Sequence, residues 1–375
     1  MAHGWELLFR IAENPHGIGT TVDQTEGIYL EVSEDGLGQN QTVRERDDRM
    51  RRGRFAPADS FSAEFSEPGG DLTFIPRSND IIGIFMSHFQ CVDYSAVGTV
   101  TSGIGTGTFT FIPIQDPPDW QGSIWGTHAA YVATSGDVFS LRIDKIYGEN
   151  LETGQYVNNG MKLDRAVVTK VELRQSLGED LMAAFHCEAI DGDPAGSYGA
   201  AFFPNDNSGA GSLGSFSDKT RFVDWMGTVS YLYAGVATTL DIQDLTITLE
   251  NGQENRRRLG TKNRVRFPYS GRPVHEGRLQ WEFDRSDVLD YMKAGGSFAL
   301  LSTWYEGALN WMQVEQRNCK LRASDPQGGG GDSSVMYEQP YRAYPGGGTP
   351  ATVIRVCTTF ATRVWTFPFG LGTAL

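Results

Sequence analysis

The feature of this sequence that most constrains the fold is a pair of similar segments that lie 207 positions apart. Residues 69–89 are GGDLTFIPRSNDIIGIFMSHF, and residues 277–292 are GRLQWEFDRSDVLDYM, aligned without a gap. Three identities are shared, with Gly70, Leu72 and Asp80 recurring as Gly277, Leu279 and Asp287. A repeat of about 200 residues indicates a duplicated domain, because solenoid units are only about 20 to 50 residues long. Chance similarity between two ordinary strand–helix segments is the alternative.

Each segment begins with a predicted strand. Apolar side chains occupy every second position, Leu72 and Phe74 in the first segment and Leu279 and Trp281 in the second. That period is typical of a strand with one buried face. We therefore predict two equivalent strands, one in each half of the chain.

A short predicted helix follows each strand, with apolar residues at positions i, i+1 and i+4. The predicted N-caps are Asn79 and Ser286, since such side chains accept hydrogen bonds from the unpaired amides of a first helical turn. Asp80 and Asp287 come next, where a negative charge favours the positive end of a helix. Strand, turn and helix are thus expected in the same order in both halves.

Composition favours a β-rich chain. The sequence has 375 residues with 45 glycines, 11% aromatic and only 21% charged residues, which is typical of twisted sheets joined by glycine-bearing turns. The net charge of -14 argues against general duplex binding, since Lys and Arg supply most of that affinity. Apolar runs are too short to span a bilayer, so we expect a soluble chain without an export signal. The four scattered cysteines are expected to be reduced and buried.

Two domains fit this length and the repeat. We expect an N-terminal arm at 1–36, a first domain at 37–190 and a linker or long loop at 191–234. A second domain is expected at 235–375. Within the first domain, 98–136 is predicted as an elaborated loop. The final residues 362–375 are either a closing core strand or an arm that reaches a neighbouring subunit.

Alternation of apolar and polar residues predicts the remaining strands at 139–146, 166–174, 181–190, 240–249, 311–321 and 352–356. The turn at 176–180 predicts a hairpin between the second and third of these. Asn251 and Gly252 predict another hairpin turn, since Asn-Gly suits the tight turns of hairpins. A glycine-rich loop is expected at 325–350.

Arginine-rich segments precede both repeated units. Residues 38–55 and 255–266 are too polar to be core, and Arg49 and Arg51 recur as Arg256 and Arg258 at the same 207-residue offset. Each is interpreted either as a solvated hairpin or as a contact surface for a neighbouring subunit, where arginine pairs with carboxylates through two hydrogen bonds.

No motif for catalysis, metal binding or cofactor binding is present. The sequence lacks GxSxG and HExxH, and its histidines are isolated. Acidic residues near the second repeated helix are better explained by the helix start than by a carboxylate pair. We therefore expect a protein that is not an enzyme and has no cofactor.

Three stretches resemble the major tail tube proteins of long non-contractile-tailed bacteriophages. They are residues 69–89, YVNNGMKLDRAVVTKVELRQSLGEDLMAAFHCEAI at 156–190, and DLTITLENGQENRRRLGTKNRVRFPYSGRPVHEGRLQWEF at 244–283. The resemblance implies a mainly β protein with two tandem β-sandwich or barrel domains, each with one short flanking helix. It covers about three quarters of the chain, and 98–136 and the glycine-rich loop depart from it.

What this resemblance implies is a structural virion protein that polymerises. In that family six domains make a ring, so a duplicated chain implies a trimer, and stacked rings enclose the channel through which DNA leaves. The implied partners are further copies, a tape measure protein inside the tube, and terminator and baseplate proteins at its ends, with assembly in the host cytoplasm. The alternatives are another phage part, such as a baseplate hub or decoration protein, or a carbohydrate-binding or carbohydrate-active β-sandwich that uses Trp120, Trp125 and Trp304.

Charge and aromatic content predict two groups of site residues. Candidates for subunit contacts are Arg49, Arg51, Arg54, Arg256, Arg258, Trp365 and Phe367. Candidates for acids that line the channel are Glu64, Glu67, Asp71, Glu276 and Glu282. A negative wall is expected because a basic wall would gain affinity with each phosphate contacted and slow the passage of DNA.

Overall fold

Strands and a helix account for nearly all of the regular structure in the described part of the chain. A computed structural model describes residues 7–13, 28–38, 41–45, 61–66, 68–96, 105–113, 129–130, 139–147, 159–189, 191–193, 215–216, 219–223, 226–233, 236–239, 241–253, 256–257, 264–266, 272–282, 290–291, 293–322, 336–346 and 350–360. In chain order the strands are β1 (Leu7–Glu13), β2 (Ile28–Leu30), β3 (Val32–Asp35), β4 (Gln41–Glu45), β5 (Phe61–Ser66), β6 (Gly69–Phe74), β7 (Cys91–Ala96), β8 (Gly105–Phe111), β9 (Ala129–Ala130), β10 (Leu141–Tyr147), β11 (Asn159–Ser176), β12 (Met182–Glu188), β13 (Asp191–Asp193), β14 (Ser215–Phe216), β15 (Gly227–Tyr233), β16 (Val236–Thr239), β17 (Ile242–Glu250), β18 (Arg256–Arg257), β19 (Arg264–Arg266), β20 (Val274–Glu282), β21 (Phe298–Gly307), β22 (Asn310–Leu321), β23 (Met336–Ala343) and β24 (Thr352–Phe360). Helix α1 (Ile81–Phe89) lies between β6 and β7.

Seven antiparallel strands form sheet I, in the spatial order β3–β6–β12–β11–β17–β20–β23. One row of facing positions crosses it as Phe74, Ala183, Leu173, Ile247, Gly277 and Tyr341. Every residue of this row except the glycine is buried. The register thus collects the apolar side chains of six strands on one face, as period-two alternation requires.

Sheet II is antiparallel and has the order β9–β7–β8–β24–β22–β21–β15–β16. Sheet III has the order β14–β2–β1–β10–β11, and β13 also pairs with β11. The long strand β11 belongs to two sheets, because its first half pairs with β10 and its second half with β12 and β17. Two separate hairpins, β4–β5 and β18–β19, complete the described strands.

Sheets I and II face each other across a shared core. Gln339 of sheet I donates a hydrogen bond to the Tyr231 hydroxyl of sheet II at 3.3 Å, and the rings of Phe298 and Tyr341 lie 5.9 Å apart. Helix α1 is buried at all nine positions. Its Phe85 ring lies 5.5 Å from Phe111 of sheet II. Burial on every side makes this helix part of the core rather than an amphipathic surface helix.

Several sequence predictions are confirmed. The mainly β fold class is correct, and the alternating strands of both repeated segments appear as β6 and β20 with their apolar residues buried. β11 and β12 form the predicted hairpin. The pairing of β17 with β20 shifts register between Ile242 and Asp244, inside the predicted strand 240–249. Cys187, Cys319 and Cys357 are buried and are not joined in disulfides, as predicted.

The described residues of the predicted arm at 1–36 lie in paired strands. β1 and β2 pair with each other, β1 pairs with β10, and β3 pairs with β6. Phe9, Ile11 and Leu30 are buried in the core. No sustained alternation runs through residues 1–36, so local periodicity did not predict β1.

Three predicted loops also contain core strands. β8 lies within 98–136 and is paired on both sides, by β7 and β24. β15 lies within the predicted linker 191–234, where Tyr231 is fully buried. β23 lies within the predicted glycine-rich loop and pairs with β20 along its length. Pairing therefore crosses the predicted domain limits, and the limits themselves stay a prediction.

Two local predictions are wrong in detail. Asn251 and Gly252 do not close a hairpin, because β17 pairs with β11 and β20 and not with β18. Instead the buried Asn251 amide donates to the carbonyl oxygens of His88 and Val168, at 3.1 and 2.9 Å. This side chain therefore connects the end of α1 to β11.

The N-cap of α1 is Asp80 rather than Asn79, and no side chain caps the helix by a hydrogen bond. The Asp80 carboxylate accepts a hydrogen bond from the Arg77 backbone amide at 2.7 Å. Burial raises the pKa of Asp80 to about 8, so this carboxyl is largely protonated at neutral pH. It does not supply the negative charge predicted there. The start of the second predicted helix, including Ser286 and Asp287, lies outside the described residues.

The repeated glycines are places of close approach. A Cβ at Gly70 would lie 2.3 Å from the Gly36 carbonyl oxygen, and one at Gly277 would lie 2.3 Å from the Tyr341 hydroxyl and 2.6 Å from the Thr246 carbonyl oxygen. Both positions lie on repeated strands of sheet I. Each glycine thus leaves room for a neighbouring segment.

We expect Gly277→Ala to lower the free energy of unfolding by about 1–3 kcal/mol, because the added methyl group overpacks the contact with Tyr341. Urea denaturation measures this change. Gly307→Ala is the matched control, since a Cβ at Gly307 meets no atom within 4 Å. Equal stability of the two variants would contradict the close approach.

Candidate functional site on the polar face of sheet I

The second face of sheet I carries polar and charged side chains. They alternate with core residues along each strand, because successive side chains point to opposite faces. Between the core rows, this face presents Glu34, Asp71, Thr73, Lys170, Glu172, Arg174, Ala184, His186, Glu188, Asp244, Thr246, Thr248, Glu250, Glu276, Arg278, Gln280, Glu282, Glu338 and Arg342. Carboxylates outnumber basic groups here. This surface is called the polar face below.

Ion pairs cover much of the polar face. The Arg278 guanidinium lies 3.8 Å from the Asp244 carboxylate on β17 and 3.4 Å from the Glu338 carboxylate on β23. The ring of His186 lies 2.8 Å from the Asp71 carboxylate, on the neighbouring strand β6. These pairs join adjacent strands and remain in contact with solvent.

A shallow trough of about 660 Å³ runs across one end of the polar face. Its lining comes from six strands and includes Glu34, Glu172, Arg174, Asp244 and Arg278. Small-molecule sites are usually enclosed and mostly apolar. The lining of this trough is instead mostly polar and charged.

Three predicted channel acids lie on the polar face, on two strands that are separated by β12, β11 and β17. Asp71 is on β6, and Glu276 and Glu282 are on β20. Glu64 lies on β5 in a separate hairpin, and its side chain is not described. Glu67 lies outside the described residues, so the structure places three of the five acids.

The structure does not describe the side chains of the predicted subunit-contact residues. Arg256 is on β18, opposite Arg266 of β19, so a basic hairpin does follow β17. Positions 49, 51, 54, 258, 365 and 367 are not described. Trp304, a candidate for a sugar platform, is 1% exposed and donates its indole N–H to Gln175, so it cannot stack on a sugar.

The two ends of sheet I differ in character. β6, β11 and β20 run in the same direction, because they are related by even numbers of antiparallel pairings. Hairpins β4–β5 and β18–β19 precede β6 and β20, so both emerge at the same end, called the hairpin end. The opposite end, called the turn end, carries the exposed Leu177 in the turn between β11 and β12.

Further exposed apolar side chains lie at the turn end. Tyr305 and Leu309, beside the turn between β21 and β22, are 54% and 46% exposed. Residues 219–223 link the two turns, because the Leu181 amide donates to the Phe222 carbonyl oxygen and a pocket beside Leu309 includes Lys219. The turn end therefore exposes three large apolar side chains beside acids such as Glu179 and Glu306 and the basic Arg221.

Sequence reasoning missed a buried charged cluster. The Arg10 and Arg142 guanidinium groups both donate to the Asp144 carboxylate, Arg10 Nη2 at 2.6 Å and Arg142 Nε at 2.9 Å. Asp144 is 0% exposed. Arginines on β1 and β10 that are brought together by strand pairing leave no local signal in the sequence.

Buried histidines in the core are neutral. Burial lowers the pKa of His88 to about 3 and that of His275 to about 4. Within the described ranges, no group of three or more His, Cys, Asp or Glu residues is arranged to hold a metal ion. No described helix is both long and apolar enough to cross a membrane.

Comparison with known proteins identifies the family. A search of curated proteins found no match. The family model described as phage tail tube protein matches residues 27–343, which is most of the chain and includes every strand of sheet I. A mainly β fold with a broad antiparallel sheet is consistent with this match. The chain therefore belongs to the family of phage tail tube proteins and is a structural protein of a bacteriophage tail.

Proposed function

We propose that three copies of this chain form a ring with pseudo-sixfold symmetry, and that rings stack into a tube through which DNA leaves the virion. The main observation that supports this proposal is the structure of sheet I. Both halves of the chain contribute to it, β3, β6, β12 and β11 from the first and β17, β20 and β23 from the second. One continuous sheet with a polar face is the form needed for part of a channel wall.

The two halves share an order of connections. β3 pairs with β6 around hairpin β4–β5, and α1 and the β7–β8 pair follow. Correspondingly, β17 pairs with β20 around hairpin β18–β19, and helical residues Asp290, Tyr291 and Lys293 and the β21–β22 pair follow. This correspondence supports a duplicated domain, and three duplicated chains are what a sixfold ring requires.

Both edges of sheet I are available for lateral contacts. Among the described strands, β3 pairs only with β6, and β23 pairs with β22 at only two residues beyond its pairing with β20. Unpaired strand edges are ready sites for association. We assign these edges to contacts between neighbouring copies in the ring.

The polar face of sheet I is assigned to the channel. Its surplus of carboxylates repels the phosphates of DNA, so transit is not slowed by adhesion. In this arrangement the second face of sheet II, which carries the exposed Leu232, lies on the outside of the tube. A tape measure protein would occupy the channel before ejection, and terminator and baseplate proteins would bind the two ends.

Assembly of the purified chain tests the proposal. Light scattering should show polymerisation as concentration rises, and negative-stain microscopy should show open tubes whose end-on views have threefold rings with six similar lobes. A chain that stays monomeric at high concentration, alone and with the other tail proteins, would refute it. Rings of six chains would refute the duplicated-domain arrangement alone.

A further inference from the structure

Each basic side chain named below, on or beside the polar face, contacts a carboxylate, a backbone carbonyl oxygen or an aromatic ring. A surface that repels nucleic acid is expected to lack lysine and arginine, yet the polar face of sheet I includes several lysine and arginine side chains. The partners are Glu250 for Lys170, Glu172 for Arg174, Asp244 and Glu338 for Arg278, Glu276 for Arg322, the Gly295 carbonyl oxygen for Lys320 and the Tyr344 ring for Arg342.

The strand register sets up the pairs of Lys170 and Arg278, whereas Glu172 and Arg174 lie two positions apart on β11. Lys170 on β11 faces Glu250 on β17 directly, and their charged atoms lie 3.8 Å apart. Arg278 on β20 lies between acids on both flanking strands, because Asp244 and Glu338 each face the next polar position, Gln280. Opposite charges at such cross-strand positions attract each other.

These pairs remain exposed to solvent. The side chains of Arg278 and Glu338 are 49% and 54% exposed, and that of Arg174 is 66% exposed. Exposed ion pairs contribute only about 0–1 kcal/mol to stability. Stability therefore does not explain them, and their main effect is on what the surface presents to a ligand.

Unpaired arginines in these places would bind DNA. Each phosphate contact adds affinity, and the logarithm of the binding constant falls with the logarithm of salt concentration by about 0.9 for every phosphate neutralised. A carboxylate 3 to 4 Å from the guanidinium cancels its charge and competes with phosphate for its N–H donors. The pair therefore removes a phosphate site without removing the side chain.

We propose that Glu172, Asp244 and Glu338 neutralise Arg174 and Arg278 so that the polar face cannot hold nucleic acid. The inference rests on the proposed function only in taking DNA as the molecule that passes this face. Glu172 and Asp244 come from different halves of the chain, so these ion pairs involve both repeated units.

The test compares three variants of the unassembled chain for binding of a fluorescent DNA duplex. In the uncapped variant, Glu172→Gln, Asp244→Asn and Glu338→Gln are combined. The charge-matched control combines Asp241→Asn, Glu306→Gln and Asp290→Asn, which are exposed acids outside the ion pairs described for Arg174 and Arg278. A third variant adds Arg174→Gln and Arg278→Gln to the uncapped variant. Circular dichroism confirms that each is folded.

We expect the uncapped variant to bind the duplex at least about tenfold more tightly than the unaltered chain at about 50 mM salt, and to lose that gain at about 200 mM salt. The control and the third variant should bind like the unaltered chain. Equal binding by the uncapped variant and the control would overturn the proposal, since net charge alone would then explain the result.

Assembled tubes separate this proposal from the channel assignment. If the polar face lines the channel, tubes of the uncapped variant should protect bound linear duplex from a nuclease. Binding without protection would place the face outside and refute the channel assignment, while leaving the neutralisation intact. Failure of the unassembled uncapped variant to bind would refute the neutralisation, whichever way the face points.

Discussion

Replacing Asp144 with asparagine should lower the free energy of unfolding by about 3–5 kcal/mol, because it removes the charge that two buried guanidinium groups share. Arg10 donates two hydrogen bonds to one carboxylate oxygen, and Arg142 donates to the other. Both arginines are less than a tenth exposed. An amide keeps the shape of the carboxylate but offers only one acceptor oxygen and no charge.

Urea denaturation measures the change for Asp144→Asn, and Glu250→Gln is its control. Glu250 also pairs with a basic side chain, but about half of its side chain is exposed, so its loss should change stability by less than about 1 kcal/mol. A triple variant with Arg10→Met, Arg142→Met and Asp144→Leu should recover much of the loss, since apolar groups of similar volume can replace a buried ion cluster. Equal effects of Asp144→Asn and Glu250→Gln would show that burial does not strengthen this cluster.

This cluster shows where sequence reasoning ends. Alternation predicted β11, β12, β17 and β20, because each has one buried and one polar face and so carries its own signal. The pairing of Arg10 with Asp144 depends on β1 lying beside β10, which no local pattern encodes. Arg10 and Asp144 are 134 residues apart in the sequence, and the order of the strands in the sheet brings them together. The alternation of apolar and polar residues predicts single strands but not their order.

The polar face was partly predictable for the same reason. Asp71, Glu276 and Glu282 were predicted as channel acids from the acidic excess near the repeated strands, and all three lie on the polar face, although their place in a channel stays a prediction. The acids that hold Arg278 were not anticipated. Glu338 lies on β23, where Pro340 and the surrounding glycines indicated a loop, whereas proline is tolerated in a strand at a sheet edge.

The double substitution Leu177→Lys and Leu309→Lys should prevent the stacking of rings and leave the chain folded. Both leucines are exposed on the turn end, 70% and 46% respectively, so a polar side chain costs the isolated chain little. Basic hairpin β18–β19 emerges at the opposite end, and Glu179 and Glu306 lie among the residues of the turn end. Because the hairpin end and the turn end differ, rings can stack head to tail, and such stacking forms an open filament.

Lysines at the turn end would remove the apolar contact and repel the arginines of the next ring. Sedimentation and negative-stain microscopy should then show single rings in place of tubes, with an unchanged urea midpoint. Leu232→Lys is the control, because Leu232 is 44% exposed on β15 and is assigned to the outside of the tube. Normal tubes from the double variant would show that stacking does not use the turn end. Loss of tubes in the control would contradict the assignment of sheet II to the outside, since stacking would then depend on a surface that this arrangement leaves free.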